Sequence, residues 1–247
     1  SVGFRENRVS QVDDLEAPRD LIVGNFKNWG AESRILTRYN LFQREQALLV
    51  GAKYYQSNNN ERQGPGSNGA DANFNFADVE FSDYSRQSDF TFPNLNVALF
   101  SEHIFKISKS ITITPGFRID YIKTESQGSY KNILFDLAGN TILNETLTDN
   151  RNFERNFMLF GIGASYKANS ATEFYANVSQ NYRSVTFNDI RITNPSLTVD
   201  PNITDEQGYT FDLGARGRYK NNLSYDVGVF LLSYQDRLGV VVRAVSD

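Results

Sequence analysis

The sequence contains no cysteine, one histidine, one methionine and one tryptophan among 247 residues. Without cysteine there is no disulfide, no thiolate zinc site, no iron–sulfur cluster and no cysteine nucleophile. A single histidine cannot build a multi-histidine metal centre within the chain. No run of about 18 apolar residues occurs, so no transmembrane helix is expected. Charge of one sign is also scarce: 25 Lys and Arg stand against 29 Asp and Glu, a net charge of −4. A dedicated nucleic-acid binder carries a basic stripe, so nucleic acid is not expected as a partner. The opening residues, Ser1 to Arg5, lack the basic region and apolar core of a secretory leader. Any leader is expected to have been removed or to lie outside the chain.

Aromatic residues, in contrast, are plentiful, with 19 Phe and 13 Tyr, and hydrophobic residues make up 40%. That content argues against intrinsic disorder, and the length suits one large or two small domains. The apolar residues follow a period of two. Tyr209, Phe211, Leu213, Ala215, Gly217 and Tyr219 share one face of a strand, and Thr210, Asp212, Gly214, Arg216 and Arg218 share the other. Ile111, Ile113, Pro115, Phe117, Ile119 and Tyr121 oppose Thr112, Thr114, Gly116, Arg118 and Asp120. Phe174, Ala176 and Val178 oppose Glu173, Tyr175, Asn177 and Ser179. Met158 to Tyr166 and Leu223 to Leu231 give two further stripes.

Weaker strands are expected over 18–26, 33–41, 46–55, 94–105 and 237–243. The total is about ten strands of about 9–12 residues, the length a tilted membrane-crossing strand needs. Short turns at 42–45, 106–110, 167–171 and 220–222 alternate with long loops at about 56–92, 123–156 and 183–207. Long loops gathered at one end of an up-and-down sheet fit a membrane β-barrel better than a sandwich with a turn every 8–12 residues. Low hydropathy does not oppose this, because alternation averages apolar and polar faces. Alternation alone, however, suits a half-exposed soluble sheet equally well.

The segment from Asn181 to Pro195, the stretch Val199-Asp-Pro-Asn-Ile203, and the run Tyr209-Thr-Phe-Asp-Leu-Gly-Ala-Arg216 resemble TonB-dependent outer-membrane receptors. Leu99 to Phe105, followed by Ile111 to Tyr121, is similar to another hairpin of that family. Tyr54-Tyr55 leading into Arg62 to Asp71 resembles the ferric-dicitrate branch. The resemblance implies a barrel of about 22 strands, an N-terminal plug, a TonB-type energy-coupling protein, an outer-membrane location and uptake of an iron chelate. On this reading the chain is all-β, an interior piece of one barrel domain spanning 1–247, without the plug and the remaining strands. The alternative is a soluble or surface-exposed β-protein that binds carbohydrate or protein through its loops.

No catalytic constellation is expected. His103 reads as a satisfied or interfacial side chain, and Ser101, two residues away, lacks a third group to orient the pair. Gly161 and Gly163 lie inside a strand rather than in a phosphate-binding loop. The carboxylates Asp71, Asp78, Glu80, Asp83 and Asp89 follow an Asn- and Gly-rich stretch without calcium-loop spacing. Arg62, Arg151, Arg183 and Arg191, with Gln63 and Asn188, are the candidates for holding an anionic chelate, since guanidinium pairs bidentately with carboxylate. Arg118, Asp120, Glu173, Asp212, Arg216 and Arg218 are expected to face the lumen and to pair with one another and with a plug. No intrinsic cofactor is expected, and iron enters only within the cargo.

Overall fold

The computed structural model describes residues 2–4, 16–69, 73–190, 199–200, 202–220 and 222–240. Among these the chain forms one antiparallel sheet of nine strands whose spatial order is the chain order. The strands are β1 (Val2–Phe4), β2 (Asp20–Leu41), β3 (Arg44–Pro65), β4 (Ser88–Lys106) and β5 (Ile111–Phe135). Then follow β6 (Thr141–Lys167), β7 (Thr172–Arg183), a short helix α1 (Phe187–Ile190), β8 (Glu206–Tyr219) and β9 (Leu223–Gln235). Among the described residues no pairing joins β9 to β1 or β2, so the sheet is open.

The registers decide which side chains share a face, because directly paired residues point the same way. Val50 of β3 pairs with Ile35 of β2 and with Ser101 of β4. Ser101 pairs with Phe117 of β5, and Phe117 with Phe160 of β6. Ile162 pairs with Val178, and Val178 with Phe211, which pairs with Leu231 of β9. All stripes read from the sequence therefore fall on one continuous apolar face. Among the described residues that face has no protein partner: Ile35 and Val227 are each 67% exposed and Leu231 is 66% exposed. A soluble monomer does not leave so large an apolar surface in water.

Aromatic residues bound this face at both ends. Trp29 and Tyr54, with ring centroids 4.9 Å apart, mark one level. Tyr39, His103 and Phe105 mark the other. Trp29 to Tyr39 on β2 and Tyr209 to Tyr219 on β8 each enclose about 33 Å of strand at ~3.3 Å per residue. A tilt near 40° reduces that to about 25 Å, the height of the apolar band of a membrane barrel. The strands are also staggered. The row of Trp29 runs through Gln56 and Leu95 to Lys123 of β5. Tyr209 pairs with Gln180, whose Oε1 accepts from the Phe160 N–H, and Phe160 pairs with Phe117 of β5. The two girdle residues thus meet β5 at different heights, the stagger that a tilted wall requires.

On the polar face, rings lie over glycines. A side chain at Gly51 would fall 2.2 Å from the Phe100 ring, and one at Gly214 2.4 Å from the Tyr175 ring. Phe100 and Tyr175 thereby flatten against the wall rather than stand out from it. The connection after β2 is a two-residue turn in which Phe42 and Gln43 both have positive φ, 52° and 59°. Such a turn matches the twist of the flanking strands and keeps this end short.

Several boundaries differ from those expected. The strands expected at 18–26 and 33–41 are one strand, β2, of 22 residues. Residues 237–240 are not strand, and 241–243 lie outside the described residues. The loop expected at 123–156 is instead the upper part of the β5–β6 hairpin, which turns only at 136–140. Likewise β3 runs on to Pro65 and β4 starts at Ser88, leaving a connection of 66–87 in place of 56–92. The third connection spans 184–205 and includes α1. For β3 to β6 the cause is the same: above the aromatic girdle the outer face of a strand no longer meets lipid, so the apolar alternation ends while the backbone pairing continues.

Candidate functional site

The polar face at the long-connection end carries the densest ionic structure, and Asp205 lies at its centre. Its carboxylate accepts from Arg155 Nε at 2.7 Å, from the Val185 N–H at 2.7 Å and from the Tyr182 hydroxyl. Arg155, on β6, also donates through Nη1 to Thr124 Oγ1 and to the Phe153 carbonyl, both at 3.2 Å. Burial leaves its side chain 9% exposed. Tyr182 stacks on Phe157 with centroids 3.6 Å apart. Burial, and then the hydrogen bond to Asp205, push the Tyr182 hydroxyl well above the usual tyrosine pKa. It stays protonated and serves as a donor.

The 184–205 connection is tied to this centre. Val185, Ile190 and Val199 form a small core, and Tyr130 of β5 and Phe153 of β6 pack against it. Asp189 closes the start of α1 by accepting from the Thr186 N–H at 2.8 Å and the Thr186 hydroxyl at 2.7 Å. Burial opposes ionisation of Asp189, yet the bonds from Thr186 and Arg183 hold its carboxyl below the usual range. Arg183 bridges Asp189 at 2.9 Å and Glu206 at 3.0 Å. The bond to Asp189 raises the Arg183 guanidinium further and keeps it charged.

A second cluster lies at the tops of β2 and β3. Asp20, 4% exposed, accepts from Gln63 Nε2 at 2.9 Å and from Arg86 Nη1 at 3.3 Å. The 66–87 connection is fastened beside it. Asp83 accepts from Asn144 at 3.0 Å and Thr141 at 3.3 Å, and Gln87 accepts from the Lys131 N–H at 2.9 Å.

The structure distributes the candidate chelate-binding residues unevenly. Arg151 and Arg183 stand on the polar face, each with carboxylate partners, Asp149 for Arg151 and Asp189 and Glu206 for Arg183. Gln63 is buried and committed to Asp20. Arg62, one residue earlier, points to the opposite face, pairs with Asp78 and covers the Phe76 ring at 4.2 Å. Asn188 belongs to α1, its side chain outside the described residues, and Arg191 lies outside them altogether. Sequence reading missed Arg155, Asp205 and Tyr182. The one available signal was that Phe153, Arg155 and Phe157 keep strand alternation through a segment read as loop.

The six residues expected at the lumen all stand on the polar face by register. Arg118 donates twice to Asp120, at 2.6 and 2.8 Å. Arg216 reaches Glu173 across the ladder at 3.1 Å, and Asp212 accepts from Asn177 at 3.5 Å. Arg218 is exposed at the short-turn end. Ser101 and His103 share the apolar face but not a bond. Ser101 donates to the Leu49 carbonyl at 3.0 Å, and His103 Nε2 meets the Tyr39 hydroxyl. Among the described residues no three His, Cys, Asp or Glu side chains gather as a metal site.

Comparison with known proteins adds three findings. A family model described as "TonB dependent receptor-like, beta-barrel" matches residues 3–247. No curated protein matches the sequence. Among solved structures, the ferric yersiniabactin uptake receptor FyuA from Yersinia pestis is 14% identical with a TM-score of 0.66 over 90% of this chain and 30% of that one. The ferric citrate transporter FecA is 18% identical with a TM-score of 0.61, over 88% of this chain and 29% of its own. The copper transporter OprC is 15% identical with a TM-score of 0.56, over 87% and 32%. The chain thus spans about a third of the length of the structures it matches.

Proposed function

The chain belongs to the TonB-dependent receptor-like β-barrel family, and on that premise we propose that it is part of an outer-membrane receptor for energised uptake of an iron chelate. The observation that carries the membrane reading is the unpartnered apolar face, bounded by aromatic side chains about 25 Å apart. In a bilayer that face meets lipid and the polar face lines the barrel interior. Further strands are required to close the wall, because an open edge in lipid leaves backbone groups unpaired. A plug and a TonB-type coupling protein are the partners this reading requires.

Cargo capture falls to the polar face at the long-connection end. Arg183, 43% exposed, and the more buried Arg151, 18% exposed, are the guanidinium groups proposed to meet the cargo, and a carboxylate-rich chelate competes with Asp149, Asp189 and Glu206 for them. The cargo carries its own metal, so the wall needs no resident cofactor. Ferric citrate and siderophores are the cargo class proposed. The structures of comparable likeness are a ferric yersiniabactin uptake receptor, a ferric citrate transporter and a copper transporter.

Growth under iron restriction tests the proposal. Cells carrying the full gene are expected to outgrow a deletion strain when ferric citrate or a siderophore is the sole iron source. Equal growth on every iron chelate offered removes the uptake reading. A monodisperse monomer of the chain in detergent-free buffer removes the membrane reading.

A further inference from the structure

Among the described residues five side chains bury a polar atom that has no hydrogen-bond partner: Asn59, Asn96, His103, Ser126 and Arg155. His103 lies on the apolar face near the short turns. The other four share the polar face of β3 to β6 at one height. Asn96 pairs with Ile122, and Ile122 with Arg155. Asn59 pairs with Phe92, which stands opposite Ser126, and Ser126 pairs with Arg151. Buried polar groups are ordinarily satisfied. Four that are not, gathered in adjacent rows of one wall, mark a place rather than scattered defects.

Ser126 and Arg155 supply donors. Ser126 is 0% exposed. Arg155 commits Nε to Asp205, and Nη1 to Thr124 and the Phe153 carbonyl, which leaves Nη2 without an acceptor. Thr124 Oγ1 also accepts from Asn94 Nδ2 at 3.0 Å, which fixes it and the guanidinium bonded to it. Ser126 is the next residue up on that face. A guanidinium nitrogen only donates, and a hydroxyl set in the row of Arg151, beside Arg155, best meets an anionic oxygen. The wall is also irregular at this height. The β4–β5 ladder skips Phe92 and Pro93, opposite Ser126 and Glu125, although the β3–β4 ladder runs through both. Such interruptions re-aim side chains and collect beside binding sites.

We propose that Ser126 Oγ and Arg155 Nη2 form a subsite for a carboxylate group of the cargo, on the inner wall beneath the 184–205 connection. The inference rests on the uptake reading and adds a deeper anchor to Arg151 and Arg183. Asp205 holds Arg155 through Nε and so fixes the guanidinium without using its last donors. The core of Val185, Ile190 and Val199 lies against Tyr130 and Phe153 on the same face. Cargo therefore reaches the subsite when that connection lifts, and the two donors then make charge-assisted bonds in place of none. The amide oxygens of Asn59 and Asn96 face the same patch from β3 and β4 and accept from N–H or O–H groups of the cargo.

The test uses the full-length protein in detergent, with ferric citrate and iron-free citrate as probes in calorimetric titrations. Ser126→Ala is expected to weaken binding about tenfold. Its thermal midpoint is expected to equal or exceed the parent's, because the variant no longer buries an unpaired hydroxyl. A hydroxyl that serves only the fold gives the opposite pattern, with stability lost and affinity kept. Arg155→Lys keeps a cation for Asp205 but loses the fork, and is expected to weaken binding about tenfold or more. Unchanged affinity in Ser126→Ala, or a fall in its thermal midpoint, overturns the proposal. Affinity lost in Arg183→Gln but kept in Ser126→Ala removes the subsite and leaves the uptake reading standing. No binding of either probe by the parent near about 10 mM also removes the subsite, and growth on other iron chelates then decides the uptake reading separately.

Discussion

The strands β2 to β6 and the strands β7 to β9 cross the same apolar band and then differ. The first group has 19 to 27 residues per strand and the second 12 to 14. Within the band the two groups obey one rule, with apolar side chains on one face and polar on the other. Above it, the tall group keeps its ladders without an apolar stripe on the outer face, and the short group gives way to the folded 184–205 connection. The thickness of the band therefore governs the shared part of every strand. The height above it is free to vary, and there the buried ion pairs and folded connections concentrate.

Removing the join between the two groups is expected to have the largest effect. Asp205→Asn leaves Arg155 buried without its carboxylate and should make local opening of the 184–205 connection easier by about 3 kcal/mol. Limited proteolysis within that connection measures it; unchanged cleavage would show that the apolar contacts of Val185 and Ile190 suffice. A charge in the shared band comes next. Leu213→Arg should destabilise the folded barrel by about 2–4 kcal/mol, whereas Asn150→Arg, above the band, should cost nothing measurable. Reversible unfolding from lipid vesicles compares the two, and equal costs would refute the common band.

Acid should separate the groups more gently. The folded Asp189 carboxyl titrates below its unfolded value, so its contribution is complete above the ordinary carboxylate pKa. It is lost as pH falls through the lower folded value. Exchange at the α1 amides should therefore accelerate in that acid window, with no corresponding change at β5–β6 amides near the Lys131–Gln87 contact. Exchange that accelerates equally at both sites would remove Asp189 as the cause. The smallest effect is expected at the Arg62–Asp78 pair, which is partly exposed. Asp78→Asn should change stability by about 0–1 kcal/mol, and a larger loss in a denaturation series would mean that Phe76 depends on that pair.

Much of the band was legible from residue order. The stripes ending at Tyr121, Tyr166 and Tyr219 lie on one face, and the four short turns fall at the expected positions. The upper wall was not legible. Thr, Asn, Ser and Gln on both faces of 123–156 resemble a loop, because water satisfies polar side chains whether or not the backbone is paired. The arginines were legible as types but not as partners. Arg62 and Gln63 are neighbours in sequence and face opposite sides, and Arg155 finds Asp205 across fifty residues.

The sequence alone determined that the chain is all-β, that it lacks the residues for thiolate or multi-histidine chemistry, and that its apolar residues form stripes about ten residues long. Those conclusions follow from composition and from the period of two, both local. Only the tertiary structure decided that the stripes join into one face, that β6 outruns β7, and that Asp205, Arg155 and Tyr182 meet. Each of these depends on the register between strands, which is set by the pairing of distant backbone groups and leaves no mark in the order of side chains.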